Sequence, residues 1–341
     1  MCSLGTHCPG RAVSEFQVLQ SGYIAGFCPA VLEHNARAIA DSMPAHDHSS
    51  LPTELFPPFT ITSPRDQVAP FVLCSPHSGS VYPKSFIEQS RLSPLSLRKS
   101  EDCLVDELFA PLADAGVPMI AARFPRAFLD LNREPYEFDP ELFREPLPDF
   151  ANSQSVRVAG GLGTIARIVA DGEEIYRQKL PLAAGMQRVE QLYIPFHAAL
   201  CDLIENTRLH FGYAILVDCH SMPSASMAPA GGPRPDIVIG DRFGASADSK
   251  ITRFLKDALV GLGYEVHMNR PYAGGYITEH YGKPARDIHA VQIEINRGLY
   301  LDERAMIPKP SFNKLRADLE SLAAPLFIQL PALLERRAAA E

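Results

Sequence analysis

The chain has 341 residues, of which 46% are hydrophobic and 21% charged, with a formal net charge of −8. This is an ordinary globular composition, long enough to bury a sizeable core. Lys and Arg are scattered rather than grouped, so no basic face is offered to nucleic acid, although one or two local arginines would suffice for a small anionic substrate.

Seven cysteines, at 2, 8, 28, 74, 103, 201 and 219, form no CxxC pair and are odd in number. This argues against a zinc ribbon or a disulfide framework and for reduced thiols. No run of eighteen apolar residues occurs, and the first thirty residues lack the order of a signal peptide. A cytoplasmic protein that does not engage membranes is expected, with its oligomeric state left open.

Residues 1–55 mix Cys, His, Ser, Pro and Ala without sustained periodicity and are expected to form a poorly structured extension or surface flap, apart from a short helix at 30–42. His34, His46 and His48 there read as solvated side chains. Residues 56–338 are expected to form one folded domain. Strand 70–76, PFVLCSP, runs directly into His77, Ser78 and Gly79. A helix over 100–115 follows, with Ser100 as its cap, Asp102 and Asp106 one turn apart, and Gly116 as its stop.

Strands are predicted at 117–122 and at 126–133, the second ending in Asp130, Asn132 and Arg133. An amide beside a planar guanidinium suits a carboxylate ligand. Residues 134–170 are Pro-rich and irregular. The GGLG at 160–163 is no phosphate loop, because no Lys-Ser/Thr follows it. Helix is expected over roughly 171–210, broken near Pro181, with His197 in a packing role.

The stretch 213–223, YAILVDCHSMP, reads as a buried strand that delivers Asp218, Cys219 and His220 to its carboxyl end, where ligands bind in α/β sheets. Further on come strand 236–240, a helix over 246–261 and strand 264–269. The segment NRPYAGGYITEHYGKP follows, with the look of a mobile wall over a pocket. Strand 290–296 alternates, with Gln292, Glu294 and Asn296 on one face and Val291, Ile293 and Ile295 on the other. A final helical region spans 311–338, broken near Pro325 and Pro331. Strands alternate with helices throughout, so the expected fold is a single α/β domain whose sheet is covered on both faces.

Three strand ends bearing His77, His220 and Glu294 suggest a metal held by the two histidines and an intervening acid, with Glu294 working beside it. A His/His/carboxylate set with an open position suits catalytic zinc, and a nearby glutamate can shuttle the proton. Nucleophilic alternatives are weak. Cys219 and His220, adjacent on a strand, point to opposite faces, and Ser78 has no GxSxG elbow.

SPHSGSVYP at 75–83, DLNR at 130–133, DCHSMPS at 218–224, GGYITEHYG at 274–282 and QIEINRGLYLDE at 292–303 together resemble the N-formylglutamate amidohydrolase family over about 70–335. The resemblance implies a zinc-carboxypeptidase-like fold with a central mixed sheet, and metal ligands at His77 and His220. The carboxypeptidase pattern has its acidic ligand three residues after the first histidine, but Ser80 stands there. The Glu101-Asp102 pair matches the family's acidic position, so Asp102 is the expected third ligand, with Glu101 and Asp106 as alternatives.

The same resemblance implies Glu294 as general base, Arg126 as oxyanion donor, and Asn132 with Arg133 as the grip on a substrate α-carboxylate. Arg297 and Tyr276 complete the expected substrate contacts. The implied reaction is zinc-dependent hydrolysis of N-formylglutamate, or of a similar small anionic N-acyl amino acid, to formate and glutamate. Another N-acyl amino acid deacylase, a small-peptide carboxypeptidase or a non-catalytic metal- or ligand-binding protein are the alternatives.

Overall fold

The computed structural model describes residues 51–169, 172–227 and 234–338. The helix expected at 30–42 and His34, His46 and His48 lie outside the described residues. Residues 51–55, expected to belong to the extension, are part of the folded body instead. Leu51 and Leu55 are buried in its core.

Seven strands form one sheet: β1 (Phe59–Thr62), β2 (Phe71–Ser75), β3 (Met119–Ala122), β4 (Ala214–Met222), β5 (Ile237–Gly240), β6 (Val266–Met268) and β7 (Ile288–Asn296), in the order β1-β3-β2-β4-β7-β5-β6. The central run β3-β2-β4-β7 is parallel. β1 pairs antiparallel with β3, and β5 antiparallel with β7, so the sheet is mixed. β4 is flanked by parallel strands on both sides and is buried along its whole length. Burial on both faces is the physical reason its sequence runs apolar without alternation until Asp218.

The principal helices are α1 (Val105–Asp114), α2 (Ile194–Phe211), α3 (Ser249–Gly261), α4 (Tyr276–Tyr281) and α5 (Ser311–Ser321). On one face of the sheet, Phe196, Leu200 and Ile204 of α2 and Ile277 and Tyr281 of α4 join Val72, Cys74, Leu216 and Ala290 in one core. On the other, Leu108 and Phe109 of α1, Leu255 of α3 and Leu315 of α5 join Leu73, Val217 and Ile293. The alternation of β4 and β7 thus feeds two separate cores. Gly212, with φ +84°, closes α2 by returning its N–H to the Arg208 carbonyl, a conformation that suits glycine.

Several local expectations give way to tertiary packing. Residues 126–133 are turns, not a strand. They run over the end of the sheet, where Asp130 N–H donates to the Thr164 carbonyl. The helix expected over 100–115 begins only at Val105, after Leu104 in a left-handed conformation. Ser100 does not cap it and donates instead to the Leu97 carbonyl. Burying each of Leu108, Phe109 and Leu112 is worth about 1.5–3 kcal/mol against ~1 kcal/mol for a missing cap, so packing sets the position of α1.

Residues 173–181 are not helical, and the α-helix expected over 171–210 starts at Leu182. The anticipated mobile wall is α4, with Ile277 buried and the Gly275 N–H donated to Gln292 Oε1 at 2.7 Å. The helical stretch Ser311–Leu334 is by length and composition able to cross a membrane. Its Leu315, Leu319, Leu326 and Leu330 pack into the core, as in a helix of a globular domain. Cys74, Cys103, Cys201 and Cys219 are buried free thiols.

Gly79 carries one of the tightest approaches in the molecule. A Cβ there would stand 2.1 Å from the Phe124 carbonyl oxygen and 2.6 Å from the Arg123 carbonyl carbon. These are backbone atoms, which cannot swing aside. The Gly79→Ala variant is therefore expected to lose roughly 2 kcal/mol or more of stability; an unchanged midpoint of chemical unfolding would contradict this account of the loop.

Candidate functional site

Parallel register puts two pairs of polar residues side by side at the carboxyl ends of the central strands. Asp218 lies opposite Gln292, and His220 opposite Glu294. Adjacent strands stand about 4.8 Å apart, so His220 and Glu294 are lateral neighbours on one face. β2 stops at Ser75, and the turn after it carries His77 to the same edge. Asp102 arrives from the segment before α1, its N–H donated to the His77 carbonyl at 3.0 Å.

The three groups converge. Asp102 Oδ2 lies 2.8 Å from His220 Nδ1 and 3.4 Å from His77 Nδ1. One ligand atom from each residue falls within 4.8 Å of the other two, and all three residues are buried. Neither alternative acid joins them. Glu101 points away to Arg98 and to the Tyr82 hydroxyl, and Asp106 is absent from the group.

The far side of each imidazole meets a carboxylate. His77 Nε2 is 2.7 Å from Asp130 Oδ1, and His220 Nε2 is 2.9 Å from Asp218 Oδ1. This is the arrangement that fixes the tautomer of a metal-binding histidine. With the Nε2 proton directed to Asp130, a neutral His77 presents a lone pair at Nδ1. That buried atom has no hydrogen-bond partner. An unshared lone pair facing a carboxylate oxygen in a dry site is costly, and a cation between them removes the cost. The donor set therefore fits a single divalent metal ion.

The electrostatics sort the carboxylates. Burial pushes the Asp102 pKa up, but the hydrogen bond with His220, the nearby His77 imidazole and the charges of His220 and Arg297 hold it well below the usual carboxylate range. Asp130 is likewise held well below that range: burial is overcome by Arg126, Arg133 and His77. Glu294 goes the other way. Burial is the largest cause, and Asp102 adds repulsion, lifting it to about 7 against the pull of His220, Arg126 and Arg297. Gln292 Nε2 donates to Glu294 Oε1 at 2.7 Å, which orients the carboxyl group.

The remaining expected residues divide. Arg126 keeps 28% of its side chain exposed, donates from Nε to Asp130 Oδ2 at 2.9 Å, and feels the charges of Asp102 and Glu294. Arg133 donates from Nε to the Leu162 carbonyl and from Nη1 to the Asn132 carbonyl. Its Nη2 has no hydrogen-bond partner among the described residues. Asn132 and Arg297, expected to grip substrate, both hydrogen-bond within the frame of the site.

Asn132 Oδ1 accepts from the Ile277 N–H at 2.7 Å, and its Nδ2 sits 3.3 Å from Asp218 Oδ2 and 3.1 Å from His220 Nε2. Arg297 is buried, donating to Asp102 Oδ1 at 2.8 Å, to Ser221 Oγ at 3.0 Å and to the Lys99 carbonyl at 2.8 Å. Tyr276 sets its ring edge-on to His197, with its hydroxyl 3.3 Å from His280 Nδ1. His197 itself is buried between the Tyr281 hydroxyl and the Leu131 carbonyl, and burial lowers its pKa to about 3. The packing role expected for it matches these contacts.

Sequence reasoning gave no role to Asp218 or Gln292, although both lie two positions before a candidate residue on the same strand face. That period-two spacing was the available signal.

A mixed α/β sheet whose strand ends gather two imidazoles and a carboxylate beside a buried glutamate has the layout of a hydrolase site that could hold a metal ion. The chain belongs to the N-formylglutamate amidohydrolase family, whose model matches residues 69–301. An N-formylglutamate deformylase of Pseudomonas putida is 28% identical over 269 residues, spanning 75% of this chain and 92% of that protein. A second, from Pseudomonas aeruginosa, is 27% identical over 264 residues, spanning 75% and 93%. The crystal structure of an N-formylglutamate amidohydrolase from Ralstonia eutropha JMP134 superposes with a TM-score of 0.75 at 32% identity, covering 82% of this chain and 99% of that one. A gene product from Agrobacterium tumefaciens, 18% identical with a TM-score of 0.59, shares the fold over 82% of this chain and 96% of its own.

Arg297 neutralises Asp102 where neither reaches solvent. Replacing it with Leu is expected to cost about 3–5 kcal/mol, the penalty for leaving a buried carboxylate without its partner. Thermal and denaturant unfolding of the purified variant would measure it; a loss below about 1 kcal/mol would show that Asp102 does not depend on this contact.

Proposed function

We propose that this protein is a metal-dependent amidohydrolase that cleaves N-formyl-L-glutamate to formate and glutamate. The observation that carries the reading is the buried convergence of His77, Asp102 and His220, with an orphaned His77 Nδ1, beside a glutamate whose proton affinity is raised to about 7. Membership of the family and relatives that are N-formylglutamate deformylases support the choice of substrate.

In this reading His77, His220 and Asp102 would hold one divalent ion, and an all-nitrogen-and-oxygen set of three favours zinc. When bound, such an ion lowers the pKa of water toward neutrality and polarises a carbonyl oxygen. Every other part falls to side chains of this chain. Glu294 takes a proton from the attacking water and returns it to the amine nitrogen as the C–N bond breaks. Its raised pKa matches that double duty near neutral pH. Arg126, anchored through Nε to Asp130, keeps its terminal nitrogens for the oxyanion of the tetrahedral intermediate. Arg133 receives the substrate α-carboxylate through Nη2.

Asn132 and Arg297 act as positioning residues, the first for His220 and α4, the second for Asp102. Asp130 and Asp218 orient the two imidazoles. Tyr276 is given no chemical task. The buried thiols are in keeping with a reducing cytoplasm.

Glu294→Gln is expected to lower kcat for formate release by at least about a thousandfold, with metal content by elemental analysis unchanged. Activity comparable to the parent chain would rule out Glu294 as the base. The pH profile follows from sign: the base works only when ionised, so kcat/KM falls as pH drops through the Glu294 pKa. That pKa is about 7 without a cation nearby, and a bound divalent ion shifts the acid limb lower. Chelation is expected to abolish formate release and added zinc to restore it; full activity in metal-free protein would overturn the reading.

A further inference from the structure

We propose that a cavity behind the turn of residues 126–133 is a binding site for a small oxyanion, carboxylate or phosphate. It has a volume of about 720 Å³, inside the roughly 300–1,000 Å³ range of small-molecule sites. It lies between the helix Lys84–Gln89 and residues 177–188 and shares no residue with the site above; its Phe128 belongs to the turn that carries Arg126 and Asp130.

Its lining is cationic. Arg144, Arg177, Lys179 and Arg188 face it, with Glu88 the single acid among the described lining residues. Most of this charge is not neutralised within the described residues. Arg144 donates from Nε to the Lys179 carbonyl, and neither it nor Arg177 makes an ion pair. Lys179 has only an exposed contact with Glu141 at 3.5 Å, and Glu88 itself leans 3.8 Å toward Lys84.

Arg188 is the informative member. It is only 4% exposed, and its guanidinium lies 3.8 Å over the Phe128 ring. Nη1 donates to the Phe128 carbonyl at 2.9 Å and to the Tyr176 hydroxyl at 2.7 Å, both neutral oxygens. No carboxylate among the described residues comes within 4.0 Å of it. Arg297, equally buried, is paired with Asp102. A buried guanidinium without a counter-ion, opening on a cavity rimmed by further cations, lacks the anion that would compensate its desolvation. The flat fork of nitrogens matches a planar carboxylate or a phosphate face.

The test is calorimetric titration of the full chain with inorganic phosphate and, separately, with glutarate. A saturable site that persists in the Arg133→Ala variant is expected for at least one probe. The double variant Arg177→Ala/Lys179→Ala, at the exposed rim, is expected to weaken it at least about tenfold, and Arg133→Ala, at the catalytic edge, to leave it unchanged. Arg188→Gln should abolish binding; if that variant fails to fold, the rim pair still decides. Phosphate binding alone would point to phosphorylated ligands, and glutarate binding alone to carboxylates. Saturation by neither probe, or a loss that follows Arg133→Ala rather than the rim pair, would overturn the proposal. Because the readout is binding, its failure is separate from that of the catalytic reading.

Discussion

The whole constellation hangs on the burial of one carboxylate. Asp102 is 1% exposed, and it stays ionised there because His220, Arg297 and Ser221 supply positive charge or a donor to its two oxygens. Two imidazoles face Oδ2, while Arg297 and Ser221 bond Oδ1. Its N–H is tied to the carbonyl of His77. Remove any of these and a dry, ionised group loses its compensation, which is why residues from β4, the loop after β2 and the turn after β7 are locked to one another.

The same burial has the opposite effect on Glu294. Both carboxyls are desolvated, but Asp102 has partners of opposite charge in hydrogen-bond contact, whereas Glu294 has an amide and a neighbouring anion. One is therefore held as a permanent anion and the other is left able to exchange a proton near neutrality. Pushing the pKa values of two neighbouring acids apart by environment is how a single pocket assigns different tasks to chemically similar groups. Arg126 sits between these regimes, anchored on Asp130 and partly open to solvent.

The scaffold supplies precision through strand register. Parallel pairing of β4 with β7 sets His220 beside Glu294 and Asp218 beside Gln292. A slip of one residue would turn all four into the opposite core, where Val217, Cys219, Ile293 and Ile295 now pack. Gly275 serves the same end from above. A Cβ at that position would stand 2.4 Å from Asn132 Nδ2, so only glycine lets α4 approach closely enough for Ile277 to bond Asn132.

Much of this was legible in the sequence because strands have a period of two and end where the chain turns polar. The apolar run before Asp218, the alternation around Glu294 and the His77 that follows β2 set out the sheet and the three strand ends directly. What the sequence did not determine is anything that depends on residues far apart sharing charge. The contacts of Arg297 and Asn132 are of this kind: 195 residues separate Arg297 from the carboxylate it neutralises, and 145 separate Ile277 from Asn132. The segment 126–133 has the apolar content of a strand, yet it turns because Asp130 must reach His77 and both arginines. Local pattern decides which face a side chain takes; only the folded chain decides which charges meet, because the energy of a buried ion depends on partners in space and not on its neighbours in sequence.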